Sequence, residues 1–257
     1  IPATPNIYDI VWNYEEGVLW FFSNLKSANE ELETLFTRSF KLSLVRMFPY
    51  TAGLAAGLSG PDKDCLDQLK PTLFLEYSML DIAVAYRRYQ FIGDEFLTWL
   101  WYIIENDPRL LSQIDKELAS LEIGSRMVLA NRHQKDSGET VTIKGEEANM
   151  DEGLQALKKG AMVAEVNLLY RSGDHEWRFN LKGESLNFSS LKVPETGKVE
   201  TKEDIEGVVI EKVFLCGKAI NLINGLFRHF IKLRVSNDWS AKIVPAIRKW
   251  IVPSVSV

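Results

Sequence analysis

Cysteine is almost missing from this chain: Cys65 and Cys216 are the whole supply in 257 residues. Two thiols do not make a disulfide framework, and a reducing cytoplasm is the natural compartment for such a sequence. Histidine is scarcer than in most metalloproteins, at three residues. His133, His175 and His229 are far apart, and none has a second ligand at HxxxH or CxxC spacing, so no metal is expected. No apolar run comes near the roughly 20 residues that a membrane span needs. No GxSxG elbow, GxxxxGK[ST] loop or GxGxxG fingerprint occurs, so nucleophilic hydrolysis and nucleotide cofactors have no support, and no cofactor is expected. Repeats and low-complexity tracts are absent too.

What remains is an ordinary globular composition, 46% hydrophobic and 25% charged, enough to fill a sizeable core. The net charge is -5, which by itself disfavours a nucleic-acid partner. Its distribution is uneven. Residues 1–124 hold 10 Lys/Arg against 18 Asp/Glu, residues 125–205 hold 12 against 14, and residues 206–257 hold 8 against 3. The basic charge is therefore polarised toward the carboxyl end, which is compatible with one anion-facing surface on an acidic body and equally with an ordinary basic surface helix.

Periodicity predicts an α+β fold: a ββαβ unit, then helices, then an antiparallel β-meander with a long C-terminal helix. Tyr8–Trp12 and Val18–Phe22 read as a hairpin around Asn13–Gly17, and Ser27 caps a helix carrying Leu32, Leu35, Phe36 and Phe40. Leu42–Phe48 reads as the third strand. A loop with a short helix covers Leu54–Lys70, followed by a strand at Thr72–Tyr77, while Ile82–Tyr89 is ambiguous between strand and helix. Asp94 is expected to cap a Trp-rich helix that Pro108 ends, and Leu110–Leu121 reads as a helix stopped near Gly124. Arg126–Ala130 is a strand, and Asp151–Lys159 is a helix closed by Gly160. The meander strands are Met162–Tyr170, Glu176–Leu181 and Ser185–Phe188, and Glu203–Leu233 is the long helix. Its apolar face carries Val213, Ile220, Ile223, Phe227, Phe230 and Ile231. The expected segments are 1–53, 54–124, 125–233 and a basic extension at 234–257.

Few residues carry chemistry. Asp62, Asp64 and Asp67 are the nearest thing to a carboxylate cluster for Mg²⁺, but they sit in a Gly-bounded loop and read as a solvated acidic run. Trp12, Trp20, Trp99 and Trp101 follow strand or helix periodicity with Leu and Ile, so they read as core and not as a base-stacking platform. Cys216 reads as a core thiol. The basic residues are the remaining constellation. On the final helix Arg228, Lys232 and Arg234 are placed opposite the apolar face, with Lys242, Arg248 and Lys249 extending the charge. These helix cations read equally as a DNA contact or as a solvated face favoured by the helix dipole.

The order of several segments resembles one family. In Gly160–Pro194, GAMVAEVNLLYRSGDHEWRFNLKGESLNFSSLKVP, a helix-ending Gly leads into a strand, a second strand carries an aromatic-basic pair, and a short Ser-Leu strand follows; the helical run Val213–Leu233 comes next. Asn6–Phe48, the helix Glu95–Ile104 (EFLTWLWYII) and Arg126–Lys135 (RMVLANRHQK) extend the likeness over about two thirds of the chain. Together these are similar to the RdgC recombination-associated DNA-binding proteins. Arg132, His133 and Lys135 fall where that family has a basic strand and loop resembling a DNA-facing element. The resemblance implies a non-catalytic protein of the bacterial cytoplasm and nucleoid, a homodimer closing into a ring. Such a ring binds double-stranded DNA without sequence preference and restrains the strand-exchange recombinase by occupying its substrate. Leu54–Leu69 and Asp136–Met150 look like insertions in the family pattern, Val235–Val257 runs past its end, and the chain reads as a fragment lacking the amino-terminal part. From other classes, a nuclease acting on recombination intermediates and a protein-interaction module without DNA affinity are the alternatives.

Overall fold

The computed structural model describes residues 5–75, 89–131, 140–145, 150–197 and 202–253. It divides into two units, Ile1–Arg46 and Met47–Val257.

In the first unit, β-branched and aromatic residues flank a turn that Gly17 completes at φ +64, and Asn13 Oδ1 accepts the Glu16 N–H at 3.1 Å. Strands β1 (Ile10–Asn13) and β2 (Val18–Phe21) pair antiparallel, with Trp12 opposite Leu19. Helix α1 (Lys26–Phe40) follows, and the rings of Phe36 and Phe40 both lie 5.0 Å from Trp12. The helix is capped at Leu25, ahead of Ser27, and the Asn29 amide donates to the carbonyls of Ser23 and Leu25. The expected strand Leu42–Phe48 does not form, so the unit is ββα and not ββαβ. Lys41 turns the chain in the left-handed conformation at φ 58, and Arg46 then ion-pairs with Glu33 of α1, which leaves this stretch tied to the helix and not to the hairpin edge.

The second unit begins with the short helices α2 (Pro49–Leu54) and α3 (Gly60–Asp67). Thr72–Leu75 is not a strand, and residues 76–88, which include the ambiguous Ile82–Tyr89 stretch up to Arg88, lie outside the described residues. Helix α4 (Phe91–Asn106) is the centre of the core: every side chain from Phe91 to Trp101 is buried. It starts three residues before Asp94, so Asp94 is an interior position and not the cap. A Cβ on the neighbouring Gly93 would lie 1.9 Å from the Gly183 carbonyl oxygen, so only glycine lets this helix approach the chain there. Thr98 Oγ1 donates to the Asp94 carbonyl at 2.8 Å and accepts the Val163 N–H at 3.2 Å, binding α4 to the strand beneath it.

Pro108 opens α5 (Pro108–Ile114), which is shorter than the predicted Leu110–Leu121 helix. Asp115 breaks it by accepting the Glu117 N–H at 2.9 Å, and Leu118 and Leu121 are buried. Strand β3 (Ser120–Ala130) runs through Gly124 instead of starting after it. Gly124 sits in an irregularity of the ladder, where Asn167 Oδ1 accepts the Ser125 N–H at 3.3 Å. Strand β4 (Thr140–Lys144) was not anticipated, although Val141 and Ile143 alternate with Thr140, Thr142 and Lys144. Helix α6 (Met150–Lys158) ends at Gly160, φ +88, and the meander β5 (Met162–Ser172), β6 (His175–Lys182), β7 (Asn187–Lys192) matches expectation except that β7 starts later. The five strands form one antiparallel sheet in the order β4-β3-β5-β6-β7.

Helix α7 (Lys202–Arg234), a π-helical turn (Trp239–Ile243) and helix α8 (Val244–Ile251) complete the unit. Trp177, fully buried in the sheet, stacks on Tyr170 at 4.6 Å and donates its indole N–H to the Leu215 carbonyl at 2.9 Å, which places α7 on the inner sheet face. Ile223, Phe227, Phe230 and Ile231 are buried as predicted, while Val213 and Ile220 are half-buried; Ile205, Val209, Ile210 and Phe214 are exposed, so the first turns of α7 reach past the core. Trp99 and Trp101 are core residues, as read from the sequence. Buried residues from 54–124, 125–233 and 234–257 share a single cluster, so these three segments belong to one unit. The architecture is α+β, and among the described residues no helix is long and apolar enough to cross a membrane.

Candidate nucleic-acid interface

The predicted site residues end up in three different situations. Arg132, His133 and Lys135 lie outside the described residues, beyond the end of β3. Arg228 and Lys232 stand one turn apart on α7, both exposed, and neither meets a carboxylate among the described residues. Between them His229 is half-buried with its ring 6.0 Å from Trp99, and burial, followed by the charge of Lys232, lowers its pKa. His229 is therefore neutral at pH 7 and adds no charge to the pair.

A depressed histidine pKa has a definite linkage sign: the unfolded chain takes up a proton near pH 6.5 while the folded protein does not. Stability from this group is full above pH 6.5 and is lost as pH falls through the window below it. Urea midpoints of His229→Gln measured between pH 7.5 and pH 5.5 (roughly one unit either side of that pKa) should fall less steeply than those of wild type. Parallel slopes would remove His229 as the source.

Arg234 corrects the sequence reading. It is 8% exposed, its Nε donates to Glu95 Oε2 at 2.5 Å, and its Nη2 donates to the Lys70 carbonyl at 2.6 Å. Glu95, 1% exposed, also accepts the Thr72 N–H at 2.5 Å, and the Trp239 ring lies 5.2 Å from the guanidinium carbon. A guanidinium enclosed in this way has no path to a phosphate. The signal was in the sequence: Arg234 follows Phe227, Phe230 and Ile231 by seven, four and three residues, which places it on the apolar face and not opposite it. Arg248, also read as extending the charge, donates Nε to the Phe74 carbonyl at 2.8 Å; Lys242 pairs with Asp238 at 3.0 Å, and Lys249 is exposed.

Sequence reading missed a second basic surface. Both α4 and α7 cover the inner face of the sheet, and the outer face is polar. Arg126 pairs there with Glu165, Arg171 with Glu122 at 2.6 Å and Glu176 at 3.1 Å, Arg178 with Glu176 at 2.9 Å, and Lys182 with Glu184 at 2.6 Å. Arg178, then Arg171, hold the Glu176 carboxyl below its usual pKa. Asn167 donates to Asn180 Oδ1 at 2.7 Å at the centre. Lys144 on β4 and Lys192 on β7 are exposed at the two edges. A period-2 count over β5 and β6 would have put Arg171, Arg178 and Lys182 on one face; the pairing between strands was not readable.

The residues weighed for catalysis are engaged otherwise. Ser59 caps Asp62 at the start of α3, and Asp67 accepts from the Tyr50 hydroxyl at 2.5 Å. Cys216 is half-buried, and burial pushes its thiol pKa up, away from a nucleophilic thiolate. Among the described residues no three His, Cys, Asp or Glu side chains converge as a metal site. Comparison with protein-family models and with curated proteins gives no match.

Proposed function

We propose that this protein binds double-stranded DNA through its phosphates, without catalysis and without sequence preference. The observation that carries the reading is the pair Arg228 and Lys232: two exposed cations one helical turn apart with no carboxylate partner among the described residues, in a region of basic excess on an acidic chain. His229, neutral at pH 7, adds no charge of its own to the pair. The resemblance to the RdgC proteins supplies the wider role: a homodimeric ring, nucleoid-associated in a bacterial cytoplasm, that limits access of the strand-exchange recombinase. The mechanism is counterion release, in which each cation seated on a phosphate frees condensed ions and affinity falls steeply with salt.

Filter binding of a duplex at two salt concentrations tests this. Retention should drop with salt, be indifferent to sequence and leave the DNA intact. Arg228→Glu/Lys232→Glu should weaken it by about tenfold or more at moderate salt, since two attractive contacts become repulsive. Mg²⁺-dependent cleavage would establish the nuclease instead, and no retention even at low salt would leave the interaction module.

A further inference from the structure

We infer that the outer face of the five-stranded sheet is a second surface for the phosphodiester backbone of duplex DNA. The inference deepens the DNA-binding reading and rests on it for the identity of the polyanion. It starts from the register of the ladder. Arg126 stands directly opposite Lys144 across β3 and β4, and Arg178 directly opposite Lys192 across β6 and β7. Like charges facing each other across strands destabilise a sheet. Here two such pairs occur on one face, one at each edge.

Folding does not account for them. The glutamates of this face serve the inner strands: Glu165 takes Arg126, and Glu176 takes Arg171 and Arg178. Lys144 and Lys192 have no carboxylate among the described residues. The face and its β6–β7 turn bring six cations, Arg126, Lys144, Arg171, Arg178, Lys182 and Lys192, against Glu122, Glu165, Glu176 and Glu184. This surface is net positive on a chain whose net charge is -5.

Its chemistry fits phosphates better than a protein partner. Interfaces between proteins are built around aromatic and aliphatic anchors; among the described residues the outer positions of these strands hold no aromatic ring, and their aliphatic side chains, Val128, Ala130 and Leu169, are half-buried among the charged and polar ones. What they do offer between the charges is neutral polar groups, the Asn167–Asn180 pair, Thr142 and Ser189, which are the side chains that commonly contact sugar and phosphate oxygens. Lys144 and Lys192 are four strand spacings apart, about 19 Å at ~4.8 Å each. That span exceeds a major groove of about 12 Å and brings one edge near each flanking backbone.

The test is Lys144→Gln/Lys192→Gln in the full chain, with binding of a fluorescent duplex followed by anisotropy across a salt series. The plot of log affinity against log salt should become shallower by about two, and affinity near physiological salt should fall about tenfold. The urea midpoint should hold or rise because two repulsions are relieved, so weaker binding cannot be traced to unfolding. Wild-type affinity and slope in this variant, while Arg228→Glu/Lys232→Glu loses binding, would overturn this inference and leave the DNA-binding reading intact. Failure of the wild-type protein to bind duplex at low salt would overturn both.

Discussion

Arg234→Leu is expected to cost about 3–5 kcal/mol of folding stability, the usual result of removing one partner of a buried ion pair. Glu95, at 1% exposure, would lose its cation and keep only the Thr72 N–H, and the Lys70 carbonyl would lose its donor. The loss comes from the stranded charge more than from the missing attraction, so Glu95→Leu/Arg234→Leu should recover most of it. The remainder, about 1–2 kcal/mol, would come from the Thr72 N–H and the Lys70 carbonyl, both left without their partners. Urea denaturation of wild type, both single variants and the double variant completes the cycle. A single-variant cost under about 1 kcal/mol would mean that water reaches this pair and that it does not hold the core together. DNA affinity of the double variant should match wild type, because Arg234 faces inward.

Gly93→Ala is expected to be strongly destabilising. The added Cβ would sit 1.9 Å from the Gly183 carbonyl oxygen, 2.5 Å from its carbon and 3.0 Å from Pro49 Cγ. The obstacle is backbone in the β6–β7 turn, which has no rotamer to change, so α4 must move away from the sheet across its most densely buried stretch. A cost of about 3 kcal/mol or more is expected, at the upper end of overpacking. Gly207→Ala is the control of opposite sign: nothing lies within 4 Å of its Cβ and the position is helical, so up to about 1 kcal/mol of stabilisation should appear. Equal urea midpoints for the two alanine variants would show that α4 and the turn are not in contact as described.

How much could be read from the sequence depended on how local each determinant is. The first hairpin, helix α6 with its Gly160 terminus, the meander and the long helix α7 were all legible, because turn residues and periodicity are set by neighbours in the chain. Leu42–Phe48 has strand composition yet forms none, since Arg46 is held by Glu33 and pairing is decided in three dimensions. Leu118 and Leu121 continue a helical spacing but are buried in the approach to β3 and in the strand itself. Asp94 looks like a cap from its residue type and its place before an apolar stripe, but the helix already begins at Phe91, and the contact of Gly93 with Gly183, 90 residues away, is out of reach of any local signal. In the candidate site, the exposure of Arg228 and Lys232 followed from helix geometry, and the same geometry, counted correctly, condemned Arg234. The facing of Arg126 with Lys144 and of Arg178 with Lys192 depends on strand register, which composition does not encode.

The clasp around Glu95 also dictates an order of events during synthesis. Thr72 Oγ1 accepts one hydrogen bond from the indole of Trp239 and its N–H goes to Glu95, Lys70 waits for Arg234, and Phe74 waits for Arg248, across separations of 164 to 174 residues for the bonds to Arg234, Trp239 and Arg248. Residues 70–75 leave the ribosome long before those partners exist. From its own emergence until Arg234 is made, α4 therefore carries a carboxylate whose cation is still missing, a long-range closure of the kind that folds late and depends on protection from aggregation.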